Sequence, residues 1–208
     1  MEKAWIQFGC GLDAPAEWRN FDSSPTLRLQ RLPVLGALVP AGPHGRFPAN
    51  VEYGDVVRGL PVAAGSAKAL YCSHVLEHLA LEDLRKALRN CYSLLCDGGI
   101  FRLVLPDLET HIVDYTQDSS PSASHTFMKA TMLGRENRRR GLSAFIREWL
   151  GNANHLWMWD YKALAAELEA AGFRGIRRAS FGDSAEPAFR LVESADRWNR
   201  ALGIECTK

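Results

Sequence analysis

The stretch Ile6-Gln7-Phe8-Gly9-Cys10-Gly11 is an apolar run that stops at two glycines one residue apart, and Asn20-Phe21-Asp22 follows shortly after. Glycines at 9 and 11 let a chain turn sharply after a buried strand and let a ligand approach the main chain with no Cβ in the way. Asp22, at the end of a second short strand, is placed to accept hydrogen bonds from both hydroxyls of a ribose. Strand, glycine turn and acidic anchor together point to an α/β sheet that binds a nucleoside-bearing ligand. Taken alone, the two glycines also suit an ordinary turn after a strand.

The remaining periodicity extends this pattern. Ala4 to Phe8, Trp18 to Phe21, Val51 to Tyr53, Ala67 to Cys72 and Ile100 to Leu105 read as strands. Leu81, Leu84, Leu88, Cys91 and Leu95 recur at helical spacing over Leu79 to Leu95, ahead of the stop Asp97-Gly98-Gly99. A helical turn is expected around Leu27 to Leu32. Residues 33–50 carry four prolines and three glycines, which predicts an irregular surface excursion. Asp160 to Ala171, closed by Gly172, is an amphipathic helix, and Gly175 to Ser180 with Leu202 to Thr207 form an expected antiparallel pair joined by a long loop. Strands apolar on both faces and alternating with helices imply a mostly parallel, doubly wound sheet. Residues 110–154 break the pattern with a Ser-rich patch and the basic run Arg135 to Arg140, predicting an insertion or lid over the site.

The 208 residues suit one domain, and 25 basic against 24 acidic side chains leave no field that demands nucleic acid or an anionic membrane. No leader and no run of about 18 apolar residues is present, so a soluble, cytoplasmic protein is expected. Cys10, Cys72, Cys91, Cys96 and Cys206 form no Cys-x-x-Cys pair, and reduced, mostly buried thiols are expected.

Ligands of open α/β sheets bind at the carboxyl ends of the strands. Gly11, Asp22, Asp55, Ser73-His74 and Asp107 all fall at such ends, which makes them one candidate site. Their order, together with Ser73-His74-Val75-Leu76-Glu77-His78-Leu79, the Leu95 to Gly99 segment, Pro106-Asp107, His155-Leu156-Trp157-Met158-Trp159-Asp160-Tyr161 and the final Gly203 to Lys208, resembles the class I S-adenosylmethionine-dependent methyltransferases, in particular the small type 11 group. The resemblance implies a Rossmann-like seven-stranded sheet with an antiparallel C-terminal strand. It implies further that Gly9, Cys10 and Gly11 border the methionine part of S-adenosylmethionine, that Asp22 and Ser23 lie at the ribose, that Asp55 and the Val56 N–H meet the adenine, and that Ser73 and His74 lie near the sulfonium. S-adenosylhomocysteine would be the product.

One departure from that family pattern is legible. Only Leu12 to Arg19, interrupted by Pro15, is available for the first crossover helix, whereas a parallel crossover takes a dozen or more residues. The helix should be vestigial. A rival nicotinamide or flavin dinucleotide needs a helix N-terminus for its pyrophosphate; S-adenosylmethionine does not. The expected reaction is methyl transfer, at oxygen, to a small-molecule or saccharide acceptor, with His74, Asp107, His111 and His155 as candidate bases. A silent protein that binds or senses the cofactor is the alternative. His74, Glu77 and His78, spaced i, i+3 and i+4, could hold a divalent ion; a hydrogen-bonded cluster is the expectation, and no metal is assigned. Trp157, Trp159, Tyr115 and Tyr161 are candidates for an acceptor pocket, and the Arg135 to Arg140 run for an acidic acceptor.

Overall fold

The computed structural model describes residues 5–33, 36, 39, 45–135 and 154–208. Seven strands, β1 (Trp5–Phe8), β2 (Arg19–Asp22), β3 (Val51–Tyr53), β4 (Ala67–Ser73), β5 (Leu95–Pro106), β6 (Arg174–Ala179) and β7 (Ala201–Thr207), form one sheet in the order β3-β2-β1-β4-β5-β7-β6. β1 to β5 pair in parallel, and β7 runs antiparallel between β5 and β6. The helices are α1 (Pro25–Gln30), α2 (Leu81–Leu94), α3 (Leu108–Gln117), α4 (Ala123–Ala130), α5 (Tyr161–Ala170) and α6 (Ala195–Trp198), with 3-10 turns at Leu76–His78 and Pro187–Leu191. The expected doubly wound sheet is therefore present, and the expected terminal antiparallel pair is β6 with β7. β5 begins at Leu95 rather than Ile100, so Asp97-Gly98-Gly99 lies within a strand that pairs irregularly with β4 near Ala67.

One face of the sheet packs Ile6, Phe8, Phe21, Leu70, Phe101 and Leu103 against Leu84, Leu88 and Cys91 of α2 and Leu164 and Leu168 of α5. These side chains alternate along their strands with residues of the opposite face, as the strand period of two requires. That opposite face is covered differently. Residues 9–18, between parallel β1 and β2, form turns and no helix. Burying Gln7 and Asn20 supplies what a helix would have provided. Gln7 Nε2 donates to the Asp13 carbonyl and to Asn20 Oδ1, and Asn20 Nδ2 donates to the carbonyls of Pro15 and Trp18. Side-chain amides thus bond the loop carbonyls, that of Pro15 together with the Trp18 N–H.

The apolar cover on this face comes from the far end of the chain. The connector between β6 and β7 brings Ala188, Phe189, Val192 and Trp198 onto Trp18, Ala69, Tyr71 and Val104. Trp18 Nε1 donates to the Ala188 carbonyl, and its ring lies 5.7 Å from that of Phe189. Arg102 of β5, 0% exposed, fixes the connector: it donates to Glu193, Asp183, Glu205 and the Ser180 carbonyl, and its guanidinium lies 4.4 Å from the centre of the Trp198 ring. The stretch expected as a plain long loop is a structural layer.

Of the expected insertion, residues 110–135 hold most of α3 and all of α4, which pack on each other through Tyr115 and Phe127 and bury no side chain fully. Arg138, Arg139 and Arg140 lie outside the described residues. No helix among the described residues is long and apolar enough to cross a membrane.

Candidate functional site

The carboxyl ends of β1, β2 and β4 stand side by side, because these strands are neighbours in the sheet. Gly9 and Gly11 follow β1 with φ of +65° and +56°, conformations that favour glycine. The two differ in surroundings. A Cβ on Gly9 would lie 2.2 Å from Val75 Cγ2, whereas a Cβ on Gly11 would meet nothing within 4 Å among the described residues. Gly9 is therefore required for packing against the segment after β4, and Gly11 borders open space.

Asp22 closes this cradle from β2. Its Oδ2 accepts from the Gly11 N–H at 3.0 Å and its Oδ1 from the Ser24 N–H at 2.7 Å, so the carboxylate is held by two backbone donors with further lone pairs on each oxygen. Ser23, next to it, is exposed. Cys10 is half-buried, and burial, with the Asp22 charge adding to it, pushes its thiol up to about 12. At neutral pH it is an uncharged lining atom and not a nucleophile. Asp55 and Val56 stand after β3: Asp55 Oδ1 accepts from the Val57 N–H at 2.9 Å, and the Val56 carbonyl accepts from Asn90 of α2. These residues line the strand ends in the order the sequence predicts.

After β4, the backbone changes direction at His74, a non-glycine residue with φ of +55°. The His74 N–H still donates to the Val104 carbonyl of β5, and its ring Nε2 lies 2.9 Å from the Arg197 carbonyl of α6. The connector that covers the sheet face thus also fixes this ring. Glu77 follows in the 3-10 turn, 0% exposed, with neither carboxylate oxygen within hydrogen-bond length of another residue among those described. Three histidines surround it: His74 Nδ1 at 3.6 Å, His155 Nε2 at 3.9 Å and His78 Nε2 at 4.0 Å from Glu77 Oε1. Burial pushes the Glu77 carboxyl up to about 7. Burial also lowers His74 and His155, with the neighbouring His78 adding to the effect on His155.

His155 is brought in by the chain after residue 153, where the Leu156 and Trp157 N–H groups both donate to the Glu77 carbonyl. His78 and His155 meet edge to face with ring centres 5.0 Å apart. The sequence pairs His74, Glu77 and His78 by spacing; it contains no local signal that His155 joins them or that Glu77 is buried.

The other candidate bases stand at the start of α3, close enough to the cluster that His111 adds to the lowering of His155. Asp107 is 8% exposed and caps α3, accepting from the Glu109 N–H at 3.0 Å and the Thr110 hydroxyl at 3.2 Å. His111 lies one turn further along α3, its N–H bonded to the Asp107 carbonyl. Among the aromatic candidates, Trp159 is buried in the core, and Tyr161 donates its hydroxyl to the Ile176 carbonyl. Trp157 and Tyr115 are exposed. A surface cavity of about 650 Å³ against α5 and the start of β6, lined by Tyr161, Glu169, Phe173 and Arg174, is not at the strand ends.

A family profile described as a methyltransferase domain matches residues 3–177. Among solved structures the chain is similar to a protein of Thermotoga maritima described as an SAM-dependent methyltransferase, possible histamine N-methyltransferase. The identity is 14% over 100% of this chain and 83% of that one, with a TM-score of 0.54. It is also similar to PigF, solved with SAH, at 18% identity over 98% of this chain and 55% of that one, with a TM-score of 0.50. At these identities the likeness is one of fold. No curated protein matches the chain.

Proposed function

The chain belongs to the methyltransferase domain family, and from that premise we propose that it transfers the methyl group of S-adenosylmethionine to an oxygen of a small-molecule or saccharide acceptor. The observation that carries the cofactor half is the cradle formed by Gly9, Gly11 and Asp22, open above Gly11 and anchored by a fixed carboxylate. PigF, which shares the fold, was solved with SAH, and this supports placing the same product here. Asp22 would hold the ribose hydroxyls, Asp55 and the Val56 N–H the adenine, and Gly9, Cys10 and Gly11 the methionine part. Ser73, whose Oγ is buried at the end of β4 near the Tyr71 hydroxyl, would face the cofactor near its sulfonium.

In the transfer, a lone pair of the acceptor oxygen forms the bond to the methyl carbon while the carbon–sulfur pair returns to sulfur. The sulfonium becomes a neutral thioether, and the hydroxyl proton leaves to a base. Since the methyl group is already activated, alignment is the main contribution the protein makes, with up to about 7–11 kcal/mol available from it in favourable cases. The oxygen preference rests on the neutral histidines His74 and His155, which burial lowers, beside the strand ends; a hydroxyl needs its proton removed. Asp107, engaged in capping α3, and His111 are the weaker candidates for that base. Residues 110–154 would act as the acceptor-side lid. Incubation with methyl-labelled S-adenosylmethionine and parallel panels of hydroxylated and amine acceptors tests the reading: label should pass to hydroxyl compounds, and transfer confined to amines would contradict it.

A further inference from the structure

Glu77 is 0% exposed, and among the described residues no other side chain or backbone group comes within hydrogen-bond length of its oxygens, its own N–H being the one donor that pulls on the carboxyl. A carboxylate so placed is unfavourable unless a positive charge or a proton accompanies it. The charge of Arg197 acts on it from outside the cluster, but the rings around it stand too far to donate a hydrogen bond to it. His74 Nε2 lies 2.9 Å from the Arg197 carbonyl and His78 Nδ1 lies 3.1 Å from the Asn154 carbonyl. A carbonyl only accepts, so these outer nitrogens carry the ring protons. In the neutral rings the inner nitrogens, His74 Nδ1 and His78 Nε2, then present lone pairs on the Glu77 side. The shortest of the three nitrogen-to-oxygen separations is 3.6 Å and the others are 3.9 and 4.0 Å, all beyond hydrogen-bond length.

The Glu77 oxygen and the inner nitrogens of His74 and His78, with the His155 ring that also bonds the Thr131 backbone, are spaced to surround a shared cation. One ligand atom each from Glu77, His78 and His155 lies within 4.8 Å of the other two. An ion at the centre of that triangle would stand no more than about 2.5 Å from each, a few tenths of an ångström beyond the 2.0–2.2 Å of zinc bonds to nitrogen and carboxylate oxygen. We propose that Glu77, His78 and His155 form a binding site for one divalent first-row transition metal ion, with His74 beside it. Two imidazoles and one carboxylate suit zinc, iron, cobalt or manganese better than calcium or magnesium, which take oxygen ligands. The backbone carbonyl of Asn154 acts as the outer partner that orients His78, the arrangement that fixes metal-binding imidazoles generally.

The site's position gives the ion a role. Val75, next to His74, packs directly on Gly9, so the metal lies one strand from the glycine turn that would hold the cofactor. A metal-bound hydroxyl loses its proton far more readily than a free one. The ion would ease deprotonation of the acceptor oxygen, with His155 a ligand and His74 left as the base, which deepens and rests on the methyltransferase reading.

The test uses the full chain, free of any tag and stripped with chelator, titrated with Co²⁺ and Zn²⁺ by calorimetry and visible absorption. A second titration with S-adenosylhomocysteine is run on the same samples. One ion per chain should bind, with the absorption of a low-coordinate cobalt site. Glu77→Gln and His155→Ala should each weaken metal binding tenfold or more, while His125→Ala, on the exposed α4, leaves it unchanged. S-adenosylhomocysteine affinity should stay within about twofold in all of them. Absence of stoichiometric binding, or equal binding by wild type and His155→Ala, would overturn the site. Should Glu77→Gln fail to fold, His155→Ala alone decides, since its ring comes from the segment after residue 153 and not from the sheet. Metal binding without S-adenosylhomocysteine binding would uphold the site and sink the methyltransferase reading; the reverse would do the opposite.

Discussion

At the scale of single residues, the account turns on positions where chemistry and packing can be separated. Gly9 and Gly11 share a positive φ, yet among the described residues only Gly9 is pressed by a neighbour. Gly9→Ala should lower stability by about 2–4 kcal/mol, combining left-handed backbone strain with overpacking against Val75, as read from the urea midpoint. Gly11→Ala should cost about 1–2 kcal/mol from strain alone, while its new Cβ enters the space assigned to the cofactor and weakens S-adenosylhomocysteine binding. Equal destabilisation by both would remove the distinction. The sequence made the glycine turn and Asp22 legible because both depend on local conformation. It could not disclose Glu77: a glutamate in a turn flanked by histidines looks solvated, and its burial depends on residues 154–157 folding over it.

At the scale of elements, the connector between β6 and β7 takes over the sheet face that a first crossover helix would cover. Its anchor is Arg102, and Arg102→Ala should destabilise the fold by about 3–5 kcal/mol, because Glu193 would be left buried without its partner. Chemical denaturation measures this; a loss under about 1 kcal/mol would mean that the connector is held by its apolar side chains alone. Asp183, in the same network, carries a pH signature. Burial pushes its carboxyl up, but hydrogen bonds from Arg177, the Ser180 N–H and Arg102 outweigh that and hold it at about 2. A folded value below the unfolded one near 4 stabilises above that pH and is lost as pH falls from about 4 to 2. The thermal midpoint of the wild type should therefore drop across that window more steeply than that of Asp183→Asn, and parallel curves would contradict the assignment. The connector's role was not legible beforehand because its contacts join residues as far apart as Trp18 and Ala188. The five parallel strands were legible as mostly apolar runs, although β1 and β5 each carry a buried polar side chain, Gln7 and Arg102.

At the scale of the whole molecule, the order β3-β2-β1-β4-β5-β7-β6 sets the site. It places the ends of β1, β2 and β4 together and the histidine cluster beside them, so cofactor and acceptor would meet above the middle of the sheet. A ligand that binds only the folded chain stabilises it by about 2.7 kcal/mol at a hundred times its dissociation constant. For a chain of 208 residues this corresponds to a rise of about 5–11 °C in the thermal midpoint, which S-adenosylhomocysteine should produce and NAD should not.

The most direct measurement is isothermal calorimetry of S-adenosylhomocysteine against the wild-type chain and Asp22→Ala, with NAD as control. Micromolar, one-to-one binding to the wild type, weakened roughly ten- to hundredfold in Asp22→Ala by the loss of charge-assisted hydrogen bonds and silent with NAD, is the predicted result. No binding of S-adenosylhomocysteine, or an affinity unchanged by the substitution, would contradict the cofactor site at the ends of β1 and β2.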